Sequence, residues 1–301
     1  MYRCRRWDSR DKSDSRTFPK LLEPGYAELR RSKQRMKLFI SADIEGCCGV
    51  THWDEARLGH SEWQEARRQM NAETGAACLG ALEAGVSEIL VKDAHGTGRN
   101  LLGSELPQSC RLVRAWSGDP LSMVTGLDES FDLAIFVGYH ARASAGGNPL
   151  AHTLSSSRIF EIRLNGVSAS EFRIHCFAAA SLGVPVVLVS GDAEICREVK
   201  GFRSSIHTVA TKECYGAASI NEHPEAVVAK IHETAREAIT DELARIPARL
   251  PSEWRLEVIY KEQKEAYRSG FYPGARLESP HLVSFESKDY YEILRALGFL
   301  T

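Results

Sequence analysis

The chain has 301 residues, of which 43% are apolar and 26% charged, and its net charge is −2. These values are typical of a globular protein with one large or two ordinary domains. No apolar run approaches the roughly 20 residues that cross a bilayer, and no basic stripe interleaved with aromatics is present. The sequence therefore predicts neither a membrane span nor a nucleic-acid partner.

The near-neutral total conceals a basic first segment. Residues 1–35 contain eleven Lys/Arg and five Asp/Glu, a balance of +6 that leaves −8 for the remainder. This segment has almost no apolar periodicity and lacks the apolar centre of a secretory signal, while the acidic residues at 8, 11 and 14 argue against a transit peptide. We predict a disordered or non-native extension over 1–35, with the folded protein beginning at Met36.

The first strong element is an apolar run over residues 38–42 that leads into Asp43, Glu45 and Gly46. Side chains two apart share one face of a strand, so the two carboxylates should project the same way. Carboxylates held this close repel each other unless a cation lies between them. Gly46 would let the backbone turn sharply. An Asp-X-Glu strand end is a weak signal alone, because solvated edges and loop caps show the same pattern.

Two later apolar runs also end in residues with metal-ligand chemistry. Residues 88–92 precede Asp93 and His95, and residues 133–139 precede His140. Asp93 could orient the His95 imidazole or simply cap a turn, and the pattern leaves both interpretations open.

The carboxyl ends of parallel strands lie along one edge of a sheet, where ligands bind. We therefore expect the ends of these three strands to meet at one site. The side chains expected there are Asp43, Glu45, His95 and His140. Imidazoles with carboxylates suit zinc or a similar first-row metal.

The other elements follow from capping residues, periodicity and turn signals. In chain order they are a helix over 62–84, strands over 87–92, 132–139 and 158–164, an Asn165-Gly166 turn, a helix over 169–182 capped by Ser168, strands over 184–190 and 206–212, a helix over 225–246, strands over 254–260 and 280–286, and a helix over 289–297. The predicted fold class is α/β, with a mainly parallel sheet flanked by helices. We predict that residues 36–200 form the metal-binding catalytic domain. Residues 201–301 are predicted to form a smaller α+β subdomain that serves packing or oligomerisation.

Two further residues have open roles on local evidence. His152 lies in a polar loop of small residues after His140, where it is either a catalytic group or an ordinary loop histidine. Glu171 lies in the first turn of a predicted helix, where it either complements the helix dipole or binds a metal.

Eight cysteines, at positions 4, 47, 48, 78, 110, 176, 196 and 214, form no Cys-X-X-Cys pair. We interpret them as reduced thiols of a cytoplasmic protein. Cys47 and Cys48 adjoin the expected metal site, so a ligand or nucleophile role is an alternative to a packing role.

Four motifs in order resemble the bacterial D-aminopeptidase family, zinc metallopeptidases often encoded with dipeptide transporters. They are Ser-X-Asp-X-Glu-Gly at 41–46, Asp-X-His at 93–95, Gly-Tyr-His-Ala-Arg-Ala at 138–143, and the downstream His152. The resemblance is clear from Met36 to about Asp192 and looser beyond, and residues 1–35 have no counterpart in it. The sequence departs from the family pattern in a slightly longer loop before His152 and in the Cys47-Cys48 pair.

This resemblance implies a dinuclear zinc site and an activity. Asp43 would bridge two zinc ions per subunit, with the other ligands being Glu45, His95, His140 and Glu171. His152 would be the catalytic histidine. The implied reaction is hydrolysis of the N-terminal residue, a D-amino acid, from short peptides by metal-activated water, in a homo-oligomer that the family builds as a decamer.

Two alternatives remain open at this point. Dinuclear sites also serve other amidases and phosphoesterases, which the ligands alone do not distinguish. A non-catalytic peptide-binding protein of the same fold is the second, although it would be expected to have lost a ligand or His152, and none is missing.

Overall fold

The computed structural model describes residues 35–301, so the prediction for the segment before Arg35 lies outside the described residues. The strands are β1 (Met36–Ala42), β2 (Val86–Asp93), β3 (Cys110–Val113), β4 (Leu133–Tyr139), β5 (Ile159–Leu164), β6 (Val167–Ser168), β7 (Val186–Asp192), β8 (His207–Tyr215), β9 (Ala218–Asn221), β10 (Trp254–Tyr260), β11 (Arg276–Ser279) and β12 (Leu282–Ser287). The helices are α1 (Trp53–Ala56), α2 (Trp63–Glu83), α3 (Glu171–Ser181), α4 (Ala193–Phe202), α5 (Pro224–Thr240), α6 (Gln263–Ser269) and α7 (Tyr290–Leu300).

The strands form two sheets. The larger has seven strands in the order β3-β2-β1-β4-β7-β8-β9, and all of its neighbouring pairs are parallel except β8 with β9. The smaller has five antiparallel strands in the order β11-β12-β10-β5-β6. The predicted α/β fold with a mainly parallel sheet is confirmed. The division at residue 200 stays a prediction, and both sheets take strands from each side of it.

Strand β1 lies inside the larger sheet, between β2 and β4, and is buried on both faces. Leu38 and Ile40 pack in a core with Met70 of α2 and Ile231 of α5. Phe39 points to the opposite face, into a second core shared with α3, α7 and the smaller sheet. Burial on both faces explains why this strand is a continuous apolar run rather than an alternating one.

Three glycines let the carboxyl ends of β1, β4 and β7 pack backbone against backbone. A Cβ on Gly46 would lie 1.8 Å from the carbonyl oxygen of Tyr139, and a Cβ on Gly191 would lie 1.8 Å from the same oxygen. A Cβ on Gly138 would lie 2.2 Å from the carbonyl oxygen of Asp43. The absence of a side chain at Gly46 therefore lets its backbone approach the backbone of Tyr139 closely, and this matters more than the sharp turn predicted there.

We expect Gly46→Ala to lower the free energy of unfolding by about 3 kcal/mol, because a methyl group overlapping a backbone carbonyl forces the strand ends apart. Gly103→Ala is the matched control, since a Cβ there meets nothing within 4 Å. Denaturant unfolding of both variants tests this, and equal stabilities would contradict it.

Helix α3 begins later than the sequence predicts. Ser168 does not cap it, because Val167 and Ser168 pair with β5 and the chain stays extended there. Ser170 is the N-cap, and its hydroxyl accepts a hydrogen bond from Arg173 N at 3.1 Å. Glu171 is therefore the first residue of the helix, at the end of the larger sheet where the expected site lies.

Other differences are at boundaries and edges. Helix α5 ends at Thr240 rather than at residue 246, because Asp241 has extended backbone angles and pairs with His207 at 2.8 Å. The edge strands β3, β9 and β11 and the short helix α6 were not predicted, since short segments carry little periodicity. Within residues 35–301, none of the helices combines the length and the apolar character that crossing a bilayer requires.

Candidate metal centre

The structure brings together the residues that the sequence placed at the end of the sheet. Asp43 follows β1, His95 follows β2 and His140 follows β4, as expected for parallel neighbours. Glu45 lies two residues beyond Asp43, and Glu171 comes in from the start of α3. All five are at most 8% exposed.

Asp43 is the central residue of this cluster. Its Oδ1 lies 3.2 Å from His95 Nδ1, and its Oδ2 lies 3.6 Å from His140 Nε2. Glu45 Oε2 is 2.9 Å from His95 Nδ1, and Glu171 Oε2 is 3.2 Å from His140 Nε2. Each imidazole nitrogen thus faces one oxygen of Asp43 and one oxygen of a glutamate.

These separations match two metal positions that share one carboxylate. Ligand atoms about 2.0–2.1 Å from a tetrahedral zinc lie about 3.3 Å from one another. The potential ligand atoms of Asp43, Glu45 and His95 lie within 4.8 Å of one another, and so do those of Asp43, His140 and Glu171.

Two atoms of the cluster lack hydrogen-bond partners. Glu45 Oε2 and His140 Nε2 are fully enclosed, and neither makes a hydrogen bond to a residue within 35–301. The His95 nitrogen 2.9 Å from Glu45 Oε2 is close but not aligned for one. Enclosed polar atoms are almost always paired in folded proteins, so a bound cation is the partner that fits these two.

Backbone carbonyls fix the orientation of both imidazoles. His95 Nε2 lies 2.6 Å from the carbonyl of Ala56, at the end of α1, and His140 Nδ1 lies 2.9 Å from the carbonyl of Ala141. Because a carbonyl only accepts, these nitrogens carry protons, and the opposite nitrogens point toward the carboxylates, where a cation would be coordinated. Asp93 does not touch the His95 ring. Its carboxylate accepts bonds from the loop around Asn100, so it is a turn residue.

Without a metal, the buried charges strongly shift one another's pKa values. Burial, and then Glu45, raises the pKa of Asp43 well above its usual value. Burial alone would lower the pKa of His140, but Glu171, Glu45 and Asp43 together outweigh it and raise that pKa to about 10. Burial alone would raise the pKa of Glu171, but His140 and His152 together lower it to about 2. The imidazoles therefore hold protons that metal binding must displace.

His152 lies at the edge of the cluster. Its ring stacks on His140 with centroids 4.4 Å apart, and its Nε2 lies 3.6 Å from Glu171 Oε1. Nδ1 is 2.9 Å from the carbonyl of Leu150, so the proton on Nδ1 leaves Nε2 as an acceptor. The side chain is 13% exposed and borders the cavity described below. Its ligand atom also lies within 4.8 Å of those of Glu45 and His140.

Cys47 and Cys48 have packing roles. The Cys47 thiol donates to the carbonyl of Asp43 at 3.3 Å, and the Cys48 thiol donates to the carbonyl of Glu222 at 3.1 Å. Burial raises the pKa of Cys47 well above its usual value and that of Cys48 to about 11. Neither belongs to a group of possible metal ligands within residues 35–301.

Lys212, within β8, supports the turn that carries Glu45. Its side chain is buried, and its ammonium donates to the carbonyls of Glu45 at 2.7 Å, Cys47 at 2.9 Å and Val50. Burial lowers its pKa. Lys212 was not among the predicted site residues. It is nevertheless the last residue of the strand predicted over 206–212, and polar residues at strand ends were the signal that pointed to Asp43.

We expect Lys212→Met to weaken metal binding about 10- to 100-fold, because losing a partner behind a ligand disturbs its orientation. Competition with a chelating indicator measures this. Lys200→Met is the matched control, since Lys200 also donates to two carbonyls, at 3.0 and 2.6 Å, without contacting the cluster. Equal affinities in the two variants would refute the supporting role.

A cavity of about 920 Å³ opens onto the cluster. Trp53, Leu154, Ile174 and Leu297 provide apolar walls, and Asp43, Glu45, His152 and Glu171 lie at its polar end. His175 also borders it, and burial lowers the pKa of this histidine to about 4. The volume is sufficient for a short peptide beside two metal ions.

Comparisons with known proteins identify relatives of this chain. The Peptidase M55 family model, described as D-aminopeptidase, matches residues 36–299. A curated D-aminopeptidase of Bacillus subtilis (strain 168) is 29% identical over 273 residues, covering 88% of this chain and 97% of that protein. A solved structure described as the Zn-dependent D-aminopeptidase DppA from Bacillus subtilis, a self-compartmentalizing protease, superposes with a TM-score of 0.83 at 26% identity, covering 88% of this chain and 96% of that one.

Proposed function

The chain belongs to the D-aminopeptidase family, and from this premise we propose that it is a zinc-dependent aminopeptidase that removes N-terminal D-amino acids from short peptides. The observation that carries the proposal is the position of Asp43, whose two carboxylate oxygens face different imidazoles at 3.2 and 3.6 Å. A carboxylate shared between two metal positions would hold a pair of ions, and such pairs stabilise the attacking and leaving groups in hydrolysis.

Two ligand sets follow from this arrangement. Glu45 and His95 would hold one zinc ion with Asp43, and His140 and Glu171 would hold the other with the same carboxylate. Within residues 35–301, Glu45 Oε2 and His140 Nε2 have no hydrogen-bond partner, and they belong to different ligand sets. Each set therefore contains one enclosed atom for which a bound cation would be the partner.

Zinc ions bound there would activate a water molecule as the nucleophile and polarise the peptide carbonyl. The protein contributes proton transfer through His152. Its Nε2 is an acceptor beside the cluster and borders the cavity, so it can take a proton and pass it to the leaving amine. The stacked His140 ring and the Leu150 carbonyl hold the His152 ring in this orientation.

A self-compartmentalizing assembly is part of the proposal. The solved relative is described in those words, and a decamer is the form that the family resemblance implies. Mass determination by light scattering or native mass spectrometry tests the subunit number. Cytoplasmic residence belongs to the same proposal and is tested by fractionation of cells producing the full chain.

We expect chelation to reduce peptide hydrolysis to the uncatalysed level and Zn²⁺ to restore it. The assay compares D-Ala-D-Ala with L-Ala-L-Ala, includes a phosphoester such as p-nitrophenyl phosphate, and is paired with metal analysis of the purified protein. Two zinc ions per subunit with preferential hydrolysis of D-Ala-D-Ala support the proposal. Turnover of the phosphoester alone, or full peptide turnover after chelation, would refute it.

A further inference from the structure

His175 is a buried polar side chain for which the proposed reaction has no role. It lies one turn after Glu171 in α3, is 1% exposed, and borders the same cavity as Asp43, Glu45 and His152. Its Nδ1 is 2.8 Å from the carbonyl oxygen of Glu171. Because that oxygen can only accept, Nδ1 carries the proton and Nε2 has a free lone pair.

The Nε2 atom is the part of His175 that reaches the cavity. No residue within 35–301 hydrogen-bonds it, yet it is not among the enclosed unpartnered atoms of that region, which are Glu45 Oε2, Glu73 Oε2 and His140 Nε2. The small exposed fraction of the residue is therefore at Nε2. An unpartnered acceptor on the wall of a cavity is positioned to meet a donor on a ligand.

The neighbouring carboxylates have other partners in the proposed zinc-bound enzyme. Asp43, Glu45 and Glu171 would be occupied by the metal ions, and Asp119, elsewhere on the cavity wall, accepts from Ser117 and from Leu121 N. Ile174 and Leu297, also on the cavity wall, have side chains that offer no donor or acceptor. A substrate N–H entering this region therefore meets Nε2 as an acceptor that no residue within 35–301 engages.

We propose that His175 Nε2 accepts a hydrogen bond from the α-amino group of the substrate's N-terminal residue and so selects peptides with a free amino terminus. The inference rests on the proposed function, which puts the scissile carbonyl at the metal cluster. One helical turn spans about 5.4 Å, and the α-amino nitrogen lies two bonds from that carbonyl carbon. A residue one turn beyond the ligand Glu171 is within the distance that such a substrate spans.

The test compares two ligands that differ only in the amino group. D-Ala-D-Ala is the substrate, and N-propionyl-D-alanine, which lacks the α-amino group, is a competitive ligand. We expect His175→Phe to raise KM for D-Ala-D-Ala about tenfold or more, with little change in kcat, and to change Ki for N-propionyl-D-alanine less than about twofold. A rise in KM alone indicates an interaction made equally in the ground and transition states.

Two amide variants supply the conservative comparison. His175→Gln can place an amide oxygen near the Nε2 position, whereas His175→Asn reaches only the Nδ1 position, so we expect Gln and not Asn to restore the KM. This comparison remains decisive if the Phe variant folds poorly, and zinc content with thermal unfolding identifies such a case. Cys176→Ala is the matched control, because Cys176 is buried in the same helix and does not line the cavity.

The outcomes separate this inference from the function on which it rests. Equal changes for the amino and propionyl ligands, or identical KM values for the Gln and Asn variants, would overturn the role of His175. Absence of D-Ala-D-Ala hydrolysis by the zinc-loaded wild-type protein would instead overturn the proposed function.

Discussion

Asp43→Asn is expected to abolish binding of both metal ions and to lower kcat/KM about 10³-fold or more. Asp43 is the one residue shared by the two ligand sets, and each of its oxygens faces a different imidazole. An amide cannot bridge two cations with two anionic oxygens. Metal analysis after dialysis against zinc measures the stoichiometry, and peptide hydrolysis measures the rate.

Two controls separate ligand loss from unfolding. Glu45→Gln and Glu171→Gln each remove a residue from one ligand set, so each should leave one tightly bound ion. Metal-free Asp43→Asn should be no less stable than the metal-free wild type, because burial and Glu45 disfavour the ionised Asp43 carboxylate. Retention of two ions by Asp43→Asn would refute the bridging role.

His152→Ala is expected to lower kcat by about 10²–10⁴-fold while both metal ions stay bound. The reason is that His152 borders the cavity and has an acceptor nitrogen, while neither of the two Asp43-centred ligand sets includes it. Steady-state kinetics and metal analysis on the same preparation provide both measurements. His60→Ala is a suitable control, because His60 is exposed and pairs with Asp54 instead of the cluster.

The His152 experiment has two adverse outcomes. Unchanged turnover would remove the catalytic assignment and leave the metal centre intact. Loss of one metal ion would make His152 a ligand, an arrangement that its proximity to Glu45 and His140 allows.

The strand ends were the part of the site most readable from the sequence. The strands before Asp43 and His140 are apolar runs buried on both faces, the strand before His95 has a shorter apolar run over 89–91, and parallel neighbours bring their carboxyl ends to one edge. Those two facts predict the meeting of distant residues without any knowledge of the family. The pairing of β2, β1 and β4 in the larger sheet then fixes their separations.

Other parts of the site had weaker signals or none. Glu171 was distinguished from an ordinary helix-start glutamate only by the family resemblance, because a carboxylate favours that position in any helix. The carbonyl of Ala56 orients His95, and no side-chain pattern encodes a backbone oxygen. The cap of α3 was misplaced by two residues because Ser168 and Ser170 are equally good capping residues, and only pairing with β5 excludes the first.

The close packing of Gly46, Gly138 and Gly191 has a consequence for how this protein can change. With backbone carbonyls filling the space where side chains would stand, the ligand positions are set by the scaffold before any ion arrives, so the centre is preorganised. Variation at those strand ends would damage the fold and the metal site together. Evolution or engineering of new peptide preferences therefore has to act on the cavity wall away from the strand ends, where Leu297 of α7 contributes an apolar side chain.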